Sequence, residues 1–349
     1  MNTEWTNFLQ SQQAHFDEIG VSHFADDLAV ADNNPNFLCD LSQLGLLRIT
    51  GDDAETFLQG QLSNDVSILD GNQSQLSSYC SPKGRILASF RLYRNNGDFY
   101  LLIPADTLAA TQKRLRMFVL MSKVSIDDLS DELIRIGISG DKATTALEQL
   151  SLPIPADKNG LTSKDSIDIL DIPSTQSRYI LIGSVSAVQD IWRKLKEQIP
   201  SKGYNHWNLM DIHQGIPSIT EATVDAFVPQ MVNLHAIDAV SFTKGCYPGQ
   251  EIVARMHYLG KLKRRMYRAQ VQAKQVPKPG DALFSADSDS AQGAGQIVMS
   301  AALTDDRYEV LAVIPVKTHN DGELHLYSNE GPKLEPKELP YSVSLEREK

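Results

Sequence analysis

The chain has 349 residues, 42% of them hydrophobic and 22% charged, as in a globular protein large enough for two or three domains. No run approaches the roughly 18 consecutive apolar residues of a membrane helix, and the polar N-terminus lacks an apolar signal segment, which predicts a cytoplasmic protein without a membrane partner. The net charge of −11 argues against a protein that coats nucleic acid, because phosphate binding needs a positive surface.

Helical and alternating patterns follow one another through the first part of the chain. Residues 1–36 are predicted as a helical lead-in that ends in a loop. A strand, a helix, two strands joined by an Asn-Gly turn, a second helix and a last strand follow, at 44–50, 52–62, 86–94, 99–103, 106–119 and 133–139. This order predicts a split βαβ unit of the ferredoxin-like type.

The same pattern recurs in part before the composition changes. A helix from Asp141 and two paired strands, at 167–172 and 179–183, precede a helix that stops at Pro200. After Gly260, short strands separated by proline and glycine predict a small all-β barrel or sandwich. We therefore predict an α+β fold with α+β domains at 1–140 and 141–258 and a C-terminal β-barrel at 259–349.

The three cysteines are Cys39, Cys80 and Cys246. They are odd in number, far apart and without a C-x-x-C pair, which argues against a disulfide framework and against a self-contained metal site. An iron–sulfur cluster with four cysteine ligands could not be held by this chain alone.

The loop from Lys244 to Glu251 places a lysine, a cysteine and a glutamate within eight residues. Its sequence is Lys-Gly-Cys-Tyr-Pro-Gly-Gln-Glu. Two glycines and a proline indicate a shaped loop, and the apolar residues that follow it predict a short helix. A helix N-terminus and Lys244 would both favour a thiolate at Cys246, while Gln250 and Glu251 would orient the loop. A tight turn around a packed cysteine is the alternative.

A basic segment follows this loop. Its members are Arg255, His257, Lys261, Lys263, Arg264, Arg265 and Arg268. It is interpreted either as a solvated face or as a site for phosphates or a polycarboxylate. His257 and the isolated His235 are predicted to be packed or solvated rather than metal ligands.

Several segments together resemble the YgfZ family of folate-binding proteins, which is related to the glycine-cleavage T-protein, an aminomethyltransferase. The loop around Cys246 is the most specific of them. The others are 57–66, 81–85, 116–124, 211–217, 227–234 and the β-rich part from Pro279 onward. The resemblance covers roughly 38–315.

The resemblance implies a three-part, ring-like T-protein-like molecule with tetrahydrofolate, or a one-carbon derivative of it, in a central channel. It also implies a link to iron–sulfur enzymes or their assembly proteins, including an enzyme that thiomethylates tRNA, and tRNA or a tRNA-modifying enzyme as a partner. Cys246 would be the signature residue. Predicted folate contacts are Asn64, Asp65, Arg85, Tyr100 and Arg255.

Two positions depart from the relatives. T-proteins carry adjacent aspartates where this chain has Ala88-Ser89, and neither residue can stabilise a developing cation or manage a proton as a carboxylate can. An aminomethyltransferase reaction is therefore in question, and whether the chain is an enzyme stays open. His213 stands where relatives commonly have glutamate.

Three functions follow from these observations. The favoured one is a folate-dependent accessory factor for assembly or repair of iron–sulfur enzymes, with Cys246 as a reactive thiol. The second is a folate-dependent methyl- or aminomethyltransferase in which Cys246 is the nucleophile or acceptor. The third is a module that docks tRNA or a tRNA-modifying enzyme through Arg255 to Arg268.

Overall fold

A computed structural model describes residues 1–25, 34–258, 262–286 and 294–343. Its helices are α1 (Thr3–Ser11), α2 (Ala54–Gln59), α3 (Ala105–Val119), α4 (Asp141–Gln149), α5 (Val185–Lys196), α6 (Tyr204–His213), α7 (Gln250–Tyr258) and α8 (Val316–Asp321). Its strands are β1 (Ala14–Phe16), β2 (Val21–Phe24), β3 (Phe37–Asp40), β4 (Leu44–Thr50), β5 (Ser74–Cys80), β6 (Ile86–Asn95), β7 (Asp98–Pro104), β8 (Ser125–Asp128), β9 (Leu133–Ser139), β10 (Leu161–Lys164), β11 (Ile167–Asp171), β12 (Arg178–Ser184), β13 (Arg264–Gln272), β14 (Ala282–Phe284), β15 (Gly295–Ala302), β16 (Arg307–Pro315), β17 (His325–Leu326) and β18 (Leu334–Lys337).

Packing divides the chain into two compact units. Unit 1 consists of Met1–Phe57, Ser67–Gln75 and Arg91–Trp207. Unit 2 consists of Leu58–Val66, Leu76–Phe90 and Asn208–Lys349. The division into three domains, at 1–140, 141–258 and 259–349, stays a prediction.

The first five-stranded sheet has the order β5-β6-β7-β4-β8. Without β5, this is the antiparallel order expected of a ferredoxin-like unit that contains α2 and α3. One detail of the prediction was wrong, because the strand at 133–139 does not close this sheet. Ser125–Asp128 pairs with β4 instead, and its polar sequence carries little strand signal.

The second five-stranded sheet has the order β10-β11-β12-β9-β3 and confirms the predicted partial repeat. The strand at 133–139 lies here, between β12 and β3. Helices α1 and α5 pack over it around the buried tryptophans Trp5 and Trp192. Between α1 and residue 25 the predicted helical lead-in was wrong, because β1 and β2 form a hairpin whose apolar residues pack in the same core. The part of this prediction at 26–33 lies outside the described residues.

The predicted C-terminal β structure is confirmed as a curled six-stranded sheet resembling half a barrel, with the order β17-β14-β15-β16-β13-β18. The pairing of β13 with β16 runs without interruption from Arg264 to Gln272. In unit 2, Met266 of this sheet shares a core with Val253 of α7 and Ile86 of β6. This core fixes α7, and with it the loop that precedes α7.

Among the described residues, no helix combines the length and apolar character needed to cross a lipid bilayer.

Candidate functional site

The loop around Cys246 lies in unit 2 directly before α7, as the sequence predicts. Val253 is fully buried on the inner side of α7 and anchors it, so the loop sits at the start of a fixed helix. Cys246 is exposed, whereas Cys39 and Cys80 are buried. Burial raises the pKa of the Cys80 thiol to about 12, so Cys80 is no source of thiolate near neutral pH.

The ammonium group of Lys244 is buried and bound by backbone oxygens. Its Nζ atom donates hydrogen bonds to the carbonyls of Gln59 (2.7 Å), Leu62 (2.7 Å) and Asn64 (3.0 Å). Burial lowers the pKa of Lys244 to about 8, and the nearby Asp65 carboxylate opposes that shift. Lys244 thus ties the cysteine loop to segment 58–66; its predicted effect on the thiol stays a prediction.

Asn64 and Asp65 line the segment that receives Lys244. Asn64 is buried, and its Nδ2 atom donates to the carbonyls of Leu76 (2.9 Å) and Asp238 (2.7 Å). Asp65 accepts a hydrogen bond from Gln59 Nε2 at 2.9 Å. Both side chains therefore hold segment 58–66 in place, and their contacts to folate stay predictions.

The cysteine loop docks on the turn at residues 81–85, which the sequence also singled out. Gly249 has a φ of +80°, and a Cβ atom built there would lie 2.4 Å from the carbonyl oxygen of Ser81. A Cβ atom at Gly84, with a φ of +69°, would lie 2.9 Å from Ile252. The two backbones approach so closely that only glycine fits at these two positions.

Arg85 completes this docking by holding a third segment. Its Nη1 atom donates to the carbonyls of Asp225 (3.1 Å) and Ala226 (2.7 Å), while Ser81 Oγ donates to Asp225 Oδ1 at 3.2 Å. The structure thus brings 81–85 and 244–252 together within unit 2. No sequence pattern indicated that 225–226 would contact Arg85.

The remaining predicted site residues fall into two groups. Gln250 Nε2 donates weakly to the carbonyls of Lys244 (3.3 Å) and Gly245 (3.4 Å), and Glu251 is exposed in the first turn of α7. Arg255 is exposed further along α7. Tyr100 belongs to unit 1, where it stacks on Tyr93 with ring centroids 5.0 Å apart. The catalytic and ligand roles of these residues stay predictions.

Ala88 and Ser89 are buried on β6, where the T-proteins were expected to carry aspartates. Ser89 Oγ accepts a hydrogen bond from the backbone N–H of Ile219 at 2.9 Å. The hydroxyl is thus used to hold a neighbouring segment, and the position offers no anionic group.

His213 contacts a buried carboxylate that the sequence did not reveal. Its Nε2 atom lies 2.9 Å from Glu309 Oε2, Arg268 contacts the other oxygen, and Glu309 is 1% exposed. Burial by itself would raise the pKa of Glu309, but hydrogen bonds and charge from His213 and Arg268 hold it below its ordinary value. A glutamate in place of His213 would put a second carboxylate against Glu309.

Replacing this carboxylate is expected to destabilise the protein in a pH-dependent way. The lowered pKa means that Glu309 stabilises the folded state above about pH 4.5, and that this stability is lost as pH falls through its folded-state pKa. Glu309→Gln should therefore cost about 3 kcal/mol at pH 7 and much less near pH 3. Urea unfolding followed by circular dichroism at both pH values measures this, with exposed Glu335→Gln as the control. An equal loss at both pH values would contradict it.

Three comparisons relate the chain to known proteins. The family described as the GCVT N-terminal domain matches residues 27–208. A protein of Colwellia psychrerythraea named tRNA-modifying protein YgfZ is 31% identical over 313 residues, covering 89% of this chain and 94% of the relative. A protein of the same name from Hamiltonella defensa is 32% identical over 295 residues, covering 84% and 88%. The aminomethyltransferase T of the Bartonella henselae glycine cleavage system superposes with a TM-score of 0.76 at 15% identity over 98% of both chains, a likeness in fold.

Proposed function

Because the chain belongs to the YgfZ family and has the T-protein fold, we propose that it is a tetrahydrofolate-binding accessory protein that assembles or repairs iron–sulfur enzymes, including those that thiomethylate tRNA. The name of the relatives supports the connection to tRNA modification. The observation that carries the proposal is the geometry of Cys246. It is an exposed thiol on a loop that Lys244 anchors on one side of it and Gly249 on the other.

An anchored loop with one exposed thiol suits a reaction with a group delivered by a partner. After its proton passes to solvent, Cys246 can donate a sulfur electron pair to an iron of a cluster held by the client enzyme. The two other cysteines are buried, so the remaining ligands of such a cluster would come from the partner. Fixing the flanking residues presents the sulfur without ordering the loop at the moment of contact.

The residues around the loop suit a reduced pterin. Within the described part of the chain, Tyr247 Oη and Gln61 Oε1 are buried without a hydrogen-bond partner. An unpaired buried polar group costs roughly 1–3 kcal/mol, so a ligand with donors and acceptors would relieve both. Tetrahydrofolate would supply those groups and carry one-carbon units. Tyr247, Gln61 and the predicted contacts Asn64, Asp65, Arg85 and Arg255 are the residues proposed to hold it.

The thiol role is tested by complementation. In cells that lack the protein, the wild-type chain is expected to restore iron–sulfur enzyme activity and thiomethylated tRNA, while Cys246→Ala restores neither, because no other exposed thiol replaces it. Cys39→Ala, which removes a buried thiol, is the control and should rescue. Full rescue by Cys246→Ala would rule out the thiol role.

Equal tetrahydrofolate affinity of wild type and Cys246→Ala would separate folate binding from thiol chemistry.

A folate-dependent aminomethyltransferase is the second candidate, and the T-protein fold favours it. Ala88 and the engaged Ser89 weigh against it, because the reaction needs an anion at the reacting centre. Turnover of an aminomethyl or methyl folate by the purified protein would favour this function. Tight folate binding without turnover would favour the accessory role.

A further inference from the structure

Three aromatic side chains form a cluster beside the cysteine loop in unit 2. The rings of Phe242 and His257 stack in parallel, with centroids 3.7 Å apart and an interplanar angle of 14°. Tyr258 meets both edge-on, at 4.8 Å from His257 and 6.3 Å from Phe242. Phe242 lies four residues before Cys246, and the other two end α7. Phe242, His257 and Tyr258 are called the aromatic platform below.

The aromatic platform is exposed, which is unusual for rings that serve only to fill a core. Tyr258 is 51% exposed, His257 is exposed and Phe242 is half-buried. A core aromatic of this chain such as Tyr79 is 1% exposed. Exposed aromatic groups that combine a parallel stack with an edge-on ring offer planar surfaces on which another flat ring can stack.

His235 adds unpaired hydrogen-bonding groups close to the platform. It lies on a short 3-10 turn, Leu234–Ile237, and within the described residues neither of its buried ring nitrogens has a hydrogen-bond partner. Burial, with the positive charges of Arg265 and His257, lowers the pKa of His235 to about 4. The imidazole is therefore neutral near pH 7, with one N–H donor and one acceptor nitrogen. A donor and an acceptor on one ring can form hydrogen bonds with the edge of a heterocycle.

Some side chains of the basic segment bind other groups of the chain, and others are exposed at the surface. Arg265 donates to the carbonyl of Val343, and Arg268 contacts Glu309. Lys261 lies outside the described residues. Arg255 and Lys263 are exposed on either side of the platform in sequence. In a chain with a net charge of −11, two exposed cations within a few residues of the aromatic rings in sequence offer positive charge to phosphate.

From these observations we infer that the aromatic platform binds single-stranded RNA, with one unstacked base on the rings and the adjoining phosphates near Arg255 and Lys263. The base must be unpaired, because a base inside a duplex has no free face for stacking. The cations and flat rings favour RNA over a protein partner, since an apolar protein interface would need a broader hydrophobic surface. The inference rests on the proposed role in tRNA modification for its class of ligand.

The test is fluorescence anisotropy with a labelled, unstructured RNA of mixed sequence at low salt. Tyr258→Ala should weaken binding roughly ten-fold, because a stacked base contributes strongly to affinity. Tyr258→Phe keeps the ring and should bind like wild type. Phe118→Ala, which removes an aromatic ring that is 43% exposed in unit 1, is the matched control and should change nothing. Lys263→Gln should lower the slope of log affinity against log salt by about 0.7.

Two results would overturn the inference. The first is absence of RNA binding by wild type at low salt, or equal binding by wild type and a correctly folded Tyr258→Ala. The second is a Tyr258→Ala variant that loses tetrahydrofolate but keeps RNA, which would assign the platform to the pterin. Cys246→Ala should bind RNA normally, because Cys246 is not part of the platform. Failure of the thiol role in cells and failure of RNA binding are therefore separate outcomes.

Discussion

Gly249→Ala is expected to lower the free energy of unfolding by about 3 kcal/mol, because two penalties act at one position. Gly249 has a φ of +80°, a conformation that is strained for alanine. Its new Cβ atom would also lie 2.4 Å from Ser81 O and 2.6 Å from Gly84 Cα, and neither backbone atom can move aside cheaply. The expected consequence is that the cysteine loop separates from the turn at 81–85.

Gly245 provides a matched control four residues away in the same loop. Nothing lies within 4 Å of a Cβ atom built at Gly245, and its φ is outside the left-handed region. Gly245→Ala should change the free energy of unfolding by no more than about 0.5 kcal/mol. Circular dichroism should follow the unfolding, because Trp5, Trp192 and Trp207 all lie in unit 1 and their fluorescence reports that unit. Equal effects of the two substitutions would contradict the docking.

Lys244→Met is expected to destabilise the protein by about 3 kcal/mol, although it replaces a charged side chain with an apolar one of similar length. The ammonium donates to three backbone carbonyls, at Gln59, Leu62 and Asn64, and methionine leaves all of them without this donor. Methionine also removes the cost of burying the ammonium charge, and this offsets part of the lost stability. Because 58–66 and the cysteine loop meet through this group, Lys244→Met should also reduce rescue by the protein in cells.

The control for this substitution is Lys263→Met, at an exposed lysine of the same unit. It should leave the free energy of unfolding within about 0.5 kcal/mol of wild type. Lys244→Arg tests geometry at constant charge, since a planar guanidinium fork does not reproduce three donors around one nitrogen. Full stability of Lys244→Met would show that the carbonyls find other donors and that the lysine is dispensable for the fold.

The sequence predicted most elements and their class correctly where the signal is local. Alternation along 86–94, the Asn-Gly turn and the helical spacing of 106–119 each depend on residues close together in the chain. Strand β9 was recognised as a strand but assigned to the wrong sheet. Sheet membership depends on partners such as Tyr179 and Phe37, and no local pattern encodes that choice.

In the candidate site too, the features that depend on neighbouring residues were predicted and those that depend on distant residues were not. The Gly-Cys-Tyr-Pro-Gly sequence was enough to predict a shaped loop before a helix, and the structure confirms both. The hydrogen-bond partners of Lys244 Nζ were not predictable, because the three acceptor carbonyls lie about 180 residues earlier in the chain. The environment of His213 was hidden for the same reason, since Glu309 and Arg268 lie on strands β16 and β13.

By itself, the sequence determined the α+β class, the family and the identity of the reactive-thiol candidate, because composition, periodicity and a dense loop motif are properties of neighbouring residues. Only the tertiary structure decided which groups are exposed and which are engaged within the fold. Cys246 is exposed while Cys39 and Cys80 are buried, and Lys244 and Arg85 hold backbone carbonyls. Burial and hydrogen bonding depend on packing between segments distant in the chain, and they set what a charged or nucleophilic group is able to do.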